Sequence, residues 1–213
     1  METTIYIVRH GETAENAAHI WQGHLDTALS PVGLRQAAAV ARRLKDAPFS
    51  AVYSSDLRRA RATAEAIARE HGLRVRLVTG LREMDVGRWQ GLTYAEARAR
   101  DPEIYAQLMA DPIHTRRPDG ESWVEFQRRV ALAFHGIAAA HPGETICLVS
   151  HGGTIRALLA EALSLSFDTT RRLALDNTGV SIIAGEEGNW RLRLFNDTHH
   201  IAGSVDDGRW PEG

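Results

Sequence analysis

The chain of 213 residues is 44% hydrophobic and 24% charged, a balance typical of a single globular domain. Its formal net charge of −2 gives no general attraction to nucleic acid or to an anionic membrane, so we expect neither as a partner. The single cysteine, Cys147, excludes a disulfide framework. The sequence shows neither a basic leader nor an apolar run as long as the roughly 20 residues that span a membrane, so we expect a cytoplasmic protein.

Segments with strand patterns and helix patterns alternate along the chain. Short runs of β-branched and aromatic residues predict strands at 5–8, 51–53, 75–78 and 145–149, and a terminal hairpin at 180–184 and 190–195. Helix starts are predicted at Ser30-Pro31, at Ser55 or Asp56, and at Ser122, where Glu125 completes a capping box. The alternation predicts an α/β three-layer sandwich with a mostly parallel central sheet and one antiparallel edge strand.

Residues 88–120 interrupt this alternation. They contain three prolines and two short helical patterns, around 93–100 and 103–110. Long segments between the main elements of a domain are often active-site lids or binding loops. We therefore predict an inserted helical cap at about 88–120 within a single domain of residues 1–213.

Polar side chains of an unusual kind follow the ends of the predicted strands. Arg9 and His10 end the first strand, Arg59 follows the second, Glu83 the third and His151 the fourth. In open α/β sheets, ligands bind at the carboxyl ends of the strands. We therefore expect these two histidines, two arginines and one glutamate to meet at one rim of the sheet.

These residue types fit a phosphate site that needs no metal. The guanidinium groups of Arg9 and Arg59 are fork-shaped donors that match phosphate oxygens. Gly11 and Gly152 would let the backbone approach an anion, and nearby helix N-termini favour negative charge. A histidine in such a site acts either as nucleophile or as acid and base, and flanking positive charges keep an attacking imidazole neutral. Glu83 is the candidate acid for the leaving oxygen and the candidate base for water.

Five motifs in order along the chain resemble those of one known family. They are Arg9-His10-Gly11-Glu12-Thr13 with Asn16, then Gln22-Gly23, then Ser54-Ser55-Asp56-Leu57 with Arg59, then Leu81-x-Glu83 with Gly87, and finally Ser150-His151-Gly152-Gly153. Each motif is short, but together they run through nearly the whole chain. The set resembles the histidine phosphatase (phosphoglycerate mutase-like) superfamily.

The resemblance implies a role for each matching residue. His10 would be phosphorylated during turnover, and Glu83 would be the proton donor. The phosphoryl group would be held by Arg9, Arg59 and His151. The residues implied to line the pocket are Asn16, Gln22 and Gly23. The resemblance also implies that no cofactor and no metal take part, and that helices cover both faces of the sheet.

Two adjacent arginines in the predicted cap, Arg116 and Arg117, are candidates for binding a second anionic group of the substrate, such as a carboxylate or another phosphate. The alternative, a solvated pair of loop residues, is equally compatible with the sequence. The aromatic residues Trp89, Tyr94 and Trp123 are expected to pack in the core or in the cap.

Two reactions are compatible with such a pocket, since a phosphohistidine can pass its phosphoryl group to water or to a second hydroxyl. The mutases of the family carry a histidine-tyrosine-glycine segment after the acidic residue, whereas residues 84–91 here read Met-Asp-Val-Gly-Arg-Trp-Gln-Gly. We therefore predict a metal-independent phosphomonoester hydrolase acting on a small phosphorylated metabolite. Phosphoglycerate mutase activity and a non-catalytic phospho-ligand-binding module are the alternatives. The sequence leaves open the physiological substrate and the choice between monomer and homodimer.

Overall fold

One sheet of six strands organises the protein in a computed structural model that describes residues 1–201. The strands are β1 (Thr3–Arg9), β2 (Ala51–Ser54), β3 (Val75–Leu77), β4 (Thr145–Ser150), β5 (Val180–Glu186) and β6 (Asn189–Asp197). Their order across the sheet is β3-β2-β4-β1-β5-β6. The first four strands are parallel to one another, which confirms the mostly parallel sheet.

The terminal hairpin is also confirmed, and it decides where the reversed strand lies. β5 is antiparallel to both β1 and β6, so β6 points in the same direction as β1. The reversed strand is therefore next to last in the sheet and not the edge strand, because the hairpin adds β6 outside it.

The helices cover both faces of this sheet. They are α1 (Ala14–Ala17), α2 (Pro31–Leu44), α3 (Arg58–Glu70), α4 (Tyr94–Arg100), α5 (Pro102–Ala110), α6 (Trp123–Ala139), α7 (Gly152–Leu163) and α8 (Phe167–Thr170), with 3-10 turns at Thr79–Leu81, Gly87–Trp89 and His199–Ile201. The two helical patterns predicted within 88–120 are present as α4 and α5. Over residues 1–201, no helix combines the length and the apolar character that crossing a membrane requires.

Two apolar clusters lie on opposite faces of the sheet, because successive side chains of a strand point to opposite sides. Ile7 and Leu148 belong to the cluster that includes residues of α6 and α7. Their neighbours Val8 and Val149 belong to the cluster that includes residues of α2 and α3. Cys147 is buried in the second cluster, as predicted for a strand residue. The three-layer sandwich is thus confirmed, while residues 202–213 of the predicted domain lie outside the described part.

Local hydrogen bonds explain most of the helix starts. The Ser30 side chain accepts from the Gly33 amide at the start of α2, and the capping box of Ser122 is present at the start of α6. The predicted cap at Ser55 or Asp56 is wrong, because α3 begins only at Arg58.

At that start, Asp26 takes the place of a local cap. Its carboxylate oxygen Oδ1 accepts from the Arg58 amide at 2.7 Å. Asp56 is engaged elsewhere, since it forms an ion pair with Arg82. A side chain from a distant loop therefore serves this helix end, which the local sequence does not reveal.

Candidate active site

The register between β1 and β4 brings the two motif histidines together. Arg9 pairs with Ser150, so the next residues of the two strands, His10 and His151, leave the sheet side by side. The His10 amide donates to the Ser150 carbonyl at 2.9 Å. The two imidazole rings lie with their centroids 5.1 Å apart in an edge-to-face arrangement. The predicted convergence at the sheet rim is confirmed for this pair.

A single hydrogen bond sets the tautomer of His10. The ring nitrogen Nδ1 lies 2.7 Å from the carbonyl oxygen of Gly11. A carbonyl oxygen only accepts, so Nδ1 carries the proton, and in a neutral imidazole the other nitrogen, Nε2, then keeps its lone pair. The ring is only 3% exposed and lines the main cavity of the described chain. Nε2 is therefore the ring nitrogen of this side chain whose lone pair is available.

Both histidines are held neutral, chiefly by burial. Desolvation lowers the pKa of His10 well below its ordinary value, and the charges of Arg59 and Arg9 lower it further. Burial also lowers the pKa of His151 well below the ordinary value, with Arg59 again the next cause. We expected flanking positive charge to be the main reason for a neutral imidazole. The structure makes it the second reason, because both rings lie almost entirely out of water.

The backbone of His10 is fixed from behind by a loop. The amide group of Asn177 donates to the His10 carbonyl at 2.9 Å. The Thr178 backbone amide donates to the carbonyls of Arg9 and His10. Thr178 is in turn in hydrogen-bond contact with His200 at 3.2 Å. These contacts hold His10 at the end of β1.

The buried guanidinium group of Arg59 joins the cavity to a neighbouring loop. Its Nη1 donates to the Leu25 carbonyl at 2.6 Å and its Nη2 to the Gly23 carbonyl at 2.9 Å. Its Nε has no hydrogen-bond partner among the described residues. Burial lowers the pKa of Arg59 to about 10, so the side chain stays cationic at neutral pH. Arg9 also lines the cavity, and its Nη1 donates to the Leu175 carbonyl.

Glu83 reaches the same cavity across the N-terminus of α7. Its Oε2 accepts from the Gly153 amide at 3.0 Å, and its Oε1 accepts from the Met84 amide at 2.9 Å. The Glu83 carbonyl is fixed by Arg129 at 3.1 Å and by His24 at 2.8 Å. A carboxylate oxygen has more than one acceptor position, so each oxygen can still exchange a proton with a substrate.

Two of the motif glycines allow close packing. A Cβ on Gly153 would lie 2.3 Å from Oε1 of Glu83, so only glycine lets the carboxylate rest against α7. A Cβ on Gly11 would lie 2.6 Å from the Gly33 carbonyl oxygen. Gly11 is outside the cavity lining and its amide donates to Thr63, so its structural role is contact with the start of α2.

The cavity has a volume of about 210 Å³. Of the residues predicted to bind the substrate, those that line it are Asn16, Gln22, Gly23, Gly152 and Arg117. His151 is fully buried beside His10 and is not among the lining residues. Both of its ring nitrogens lack hydrogen-bond partners among the described residues.

The two adjacent cap arginines point to different surroundings. Arg117 is 4% exposed and lines the cavity. Arg116 does not line it; its guanidinium group donates to the Gly120 carbonyl and forms an ion pair with Glu125 at 3.2 Å. The prediction that both arginines bind a second anionic group of the substrate therefore fails for Arg116, because adjacent residues of an extended loop project in different directions.

Comparisons with known proteins identify the family. A model of the histidine phosphatase superfamily (branch 1) matches residues 5–198. The chain belongs to the histidine phosphatase superfamily. It is 39% identical over 201 residues to phosphoglycerate mutase-like protein 4 of Arabidopsis thaliana, a match that covers 92% of this chain and 86% of that protein.

Phosphatases of the same superfamily are similarly related. The chain is 36% identical over 203 residues to a metal-independent phosphoserine phosphatase of Arabidopsis thaliana, covering 94% of this chain and 84% of that one. The solved structure of a mycobacterial glucosyl-3-phosphoglycerate phosphatase superposes with a TM-score of 0.82 at 34% identity, over 93% of this chain and 100% of that one. This histidine phosphatase is accordingly a phosphomonoesterase.

Sequence reasoning missed several residues of this phosphatase that line the cavity, and three of them carry polar or aromatic side chains of interest. Tyr94 and Trp123 were expected only to pack, and Arg156 was not considered. Arg156 carries a signal that could have been used, since it lies one helical turn after Gly152 and is a charged residue at a buried position of helix α7. Trp89 is fully buried and packs in the core, as expected.

Proposed function

We propose that this histidine phosphatase hydrolyses phosphate monoesters of small metabolites through a phosphohistidine formed on Nε2 of His10, without a metal or a cofactor. The observation that carries the proposal is the contact of Nδ1 with the Gly11 carbonyl at 2.7 Å, which leaves Nε2 as the nitrogen with a lone pair. The buried arginines of the cavity supply the positive charge that the phosphoryl group requires.

The first step transfers the phosphoryl group to the enzyme. The lone pair of Nε2 forms a bond to phosphorus, and the bond from phosphorus to the ester oxygen breaks. Glu83, entering as the carboxylic acid, gives its proton to that oxygen, so the alcohol leaves neutral and Glu83 becomes a carboxylate. Arg9 and Arg59 stabilise the charge on the phosphoryl oxygens in flight.

The second step returns the enzyme to its starting state. A water molecule attacks the phosphorus of the phosphohistidine, and the Glu83 carboxylate takes up the water proton. The bond between phosphorus and Nε2 breaks, its electron pair returns to the imidazole, and phosphate is released. We infer that His151 donates to a phosphoryl oxygen in both steps, since its ring packs against that of His10 and its buried nitrogens have no other partner among the described residues.

A small substrate fits the size of the site. The cavity volume of about 210 Å³ is below the roughly 300–1,000 Å³ of pockets that take drug-sized ligands. The relatives named for phosphoserine and for glucosyl-3-phosphoglycerate act on phosphorylated metabolites of modest size. A substrate of this class is what we propose for the present chain.

Mutase activity is the second candidate, since the similarity to a phosphoglycerate mutase-like protein reaches 39%. The two reactions differ in the product formed from 3-phosphoglycerate. Release of inorganic phosphate supports hydrolysis, whereas accumulation of 2-phosphoglycerate in the presence of a bisphosphate primer supports the mutase. We favour hydrolysis because residues 84–91 lack the mutase segment.

The test is hydrolysis of p-nitrophenyl phosphate, with and without a chelator, by the wild type and by His10→Ala. We expect metal-independent turnover by the wild type and none by the variant. A radiolabelled phosphoenzyme should be trapped that is stable in alkali and labile in acid. His114→Ala, at an exposed histidine outside the lining, is the matched control. Wild-type rates in His10→Ala would refute the assignment of the nucleophile.

A further inference from the structure

One loop of the protein contacts two residues of the proposed mechanism. Residues 22–27 lie between α1 and α2 and form neither helix nor strand, and we call them the 22–27 loop. Two carbonyl groups of this loop accept from the guanidinium group of Arg59. The side chain of His24 contacts the backbone of Glu83. The loop therefore joins the cation that we assign to the phosphoryl group to the acid that we assign to the leaving oxygen.

The contact of His24 with Glu83 is a hydrogen bond whose direction is fixed. The ring nitrogen Nε2 lies 2.8 Å from the Glu83 carbonyl oxygen. A carbonyl oxygen only accepts, so Nε2 carries the proton. The other ring nitrogen, Nδ1, lies 3.7 Å from Oδ2 of Asp85, which is beyond hydrogen-bond distance. The bond to the Glu83 backbone is therefore the one that orients the ring.

A second donor reaches the same carbonyl from a different element. Nη2 of Arg129, a residue of α6, donates to the Glu83 carbonyl at 3.1 Å. Nη1 of the same side chain donates to two further carbonyls of the segment 80–83. These bonds attach the segment to α6, and none of them reaches the 22–27 loop. The side chain that ties the segment to the loop is His24.

The loop itself is attached to the helix that carries Arg59. Oδ1 of Asp26 accepts from the Arg58 amide at the start of α3. Within the loop, the Thr27 hydroxyl donates to the Gln22 side chain at 2.7 Å. The loop and the first turn of α3 therefore form one hydrogen-bonded unit.

His24 lies outside the surface that a substrate would contact. Its side chain is partly exposed, and the residue is not among those that line the cavity. A substitution of His24 therefore leaves the lining residues in place. An effect on the rate must then act through the position of the loop or of Glu83.

We propose that His24 is a positioning residue that sets the distance between Arg59 and Glu83. This inference rests on the proposed hydrolase function and adds to it a residue that touches neither the phosphoryl group nor the leaving oxygen. Proton transfer requires the acid within hydrogen-bond reach of the leaving oxygen, and a misplacement of about 1 Å can cost roughly 100-fold in rate. Without the His24 bond, Glu83 stays attached to α6 while the loop and Arg59 can shift relative to it.

The experiment compares replacements of His24 that differ in the reach of their N–H donor. The amide nitrogen of glutamine can occupy the place of Nε2 of histidine, whereas that of asparagine lies near the place of Nδ1. We therefore expect His24→Gln to keep the bond to the Glu83 carbonyl, and His24→Asn and His24→Ala to lose it. All three variants leave Arg129 in place as the donor from α6.

The measured quantity is kcat/KM, which reports the transfer of the phosphoryl group to the enzyme, for two esters. Glycerol 3-phosphate needs a proton on its leaving oxygen, and p-nitrophenyl phosphate does not. The ratio of the first kcat/KM to the second should fall by roughly 10- to 100-fold in His24→Ala and His24→Asn, and should stay near the wild-type value in His24→Gln. A merely structural role would lower both values alike. His114→Ala, at an exposed histidine outside the lining, is the control and should keep the wild-type ratio.

The outcomes separate the role of His24 from the hydrolase function. A wild-type ratio in His24→Ala, or an equal fall in His24→Gln, overturns the positioning role while the hydrolase function stands. If the wild type hydrolyses neither ester, the hydrolase function fails, and the role of His24 fails with it. Circular dichroism shows whether each variant folds. If His24→Ala does not fold, His24→Asn takes its place, and if neither folds, His24 is a structural residue and the proposal is refuted.

Discussion

The contact between Gly153 and Glu83 allows a test that separates catalysis from folding. In Gly153→Ala the new Cβ would lie 2.3 Å from Oε1 and 3.1 Å from the carboxyl carbon of Glu83. The atoms it meets are the end of a flexible side chain, so we expect the carboxylate to move and the fold to remain. The displaced carboxylate loses its contact with the Gly153 amide, which costs about 1.5–3 kcal/mol, and alanine in a helix returns about 0.5–1 kcal/mol. The free energy of unfolding should therefore fall by only about 0.5–2.5 kcal/mol.

The rate should change far more than the stability. General acid catalysis contributes about 10²–10⁴-fold, so kcat for an alkyl phosphate should fall by at least roughly 10- to 100-fold. Hydrolysis of p-nitrophenyl phosphate should fall much less, because its leaving group departs without protonation. Stopped-time phosphate release for both esters and urea denaturation measure the two effects. Gly136→Ala is the matched control, as a Cβ there meets nothing within 4 Å. An equal loss of rate for both esters would contradict the role of Glu83 as proton donor.

Three further predictions concern the groups around His10. Burial lowers the pKa of His10 and of His151, so below about pH 6.5 the unfolded chain binds protons that the folded chain does not. The free energy of unfolding should therefore decline as the pH falls below that value, by up to about 1.4 kcal/mol per pH unit for each histidine. Urea denaturation between about pH 5 and about pH 8 checks this, and a profile that stays flat in the wild type, or is equally steep in His10→Gln, would disprove it. Arg59→Lys keeps a charge but cannot bridge the Gly23 and Leu25 carbonyls, so kcat/KM should fall by roughly 10²–10³-fold. Near-normal steady-state kinetics would show that the reaction does not require the two-pronged guanidinium group. Arg129→Met removes the hydrogen bond to the Glu83 carbonyl, so we expect the free energy of unfolding, measured by thermal denaturation, to fall by roughly 1.5–3 kcal/mol. The rate should depend on the leaving group as it does in Gly153→Ala. A leaving-group dependence equal to that of the wild type would contradict this prediction.

The rim of the sheet could be predicted from sequence because its residues follow strands directly. Arg9, His10 and His151 leave parallel neighbouring strands, and the register of β1 with β4 then fixes their distance. A strand pattern together with the rule for parallel sheets contains that information. The sequence does not show how deeply the two histidines are buried. For that reason it did not reveal that desolvation, more than charge, lowers their pKa values.

The other end of the cavity could not be predicted in the same way. Tyr94 begins α4 and Arg117 lies in a loop, so neither follows a strand of the sheet. The sequence shows two adjacent arginines, but which of them turns inward depends on how the loop packs. Gly11 is a similar case. Its place in the motif predicts contact with an anion, whereas the fold packs it against Gly33. Contacts between segments that are distant in sequence decide each of these cases.

The cavity therefore has two ends of different origin. The residues at the strand ends, to which we assign the nucleophile and the phosphoryl site, are fixed by the ladder of the sheet and by the loop around Asn177. Tyr94 and Arg117 come from the segment between β3 and α6, outside the sheet. Substitutions in that segment can alter the leaving-group site without disturbing the register that positions His10. We infer that such changes redirect substrate choice, whereas changes at the strand ends abolish the reaction.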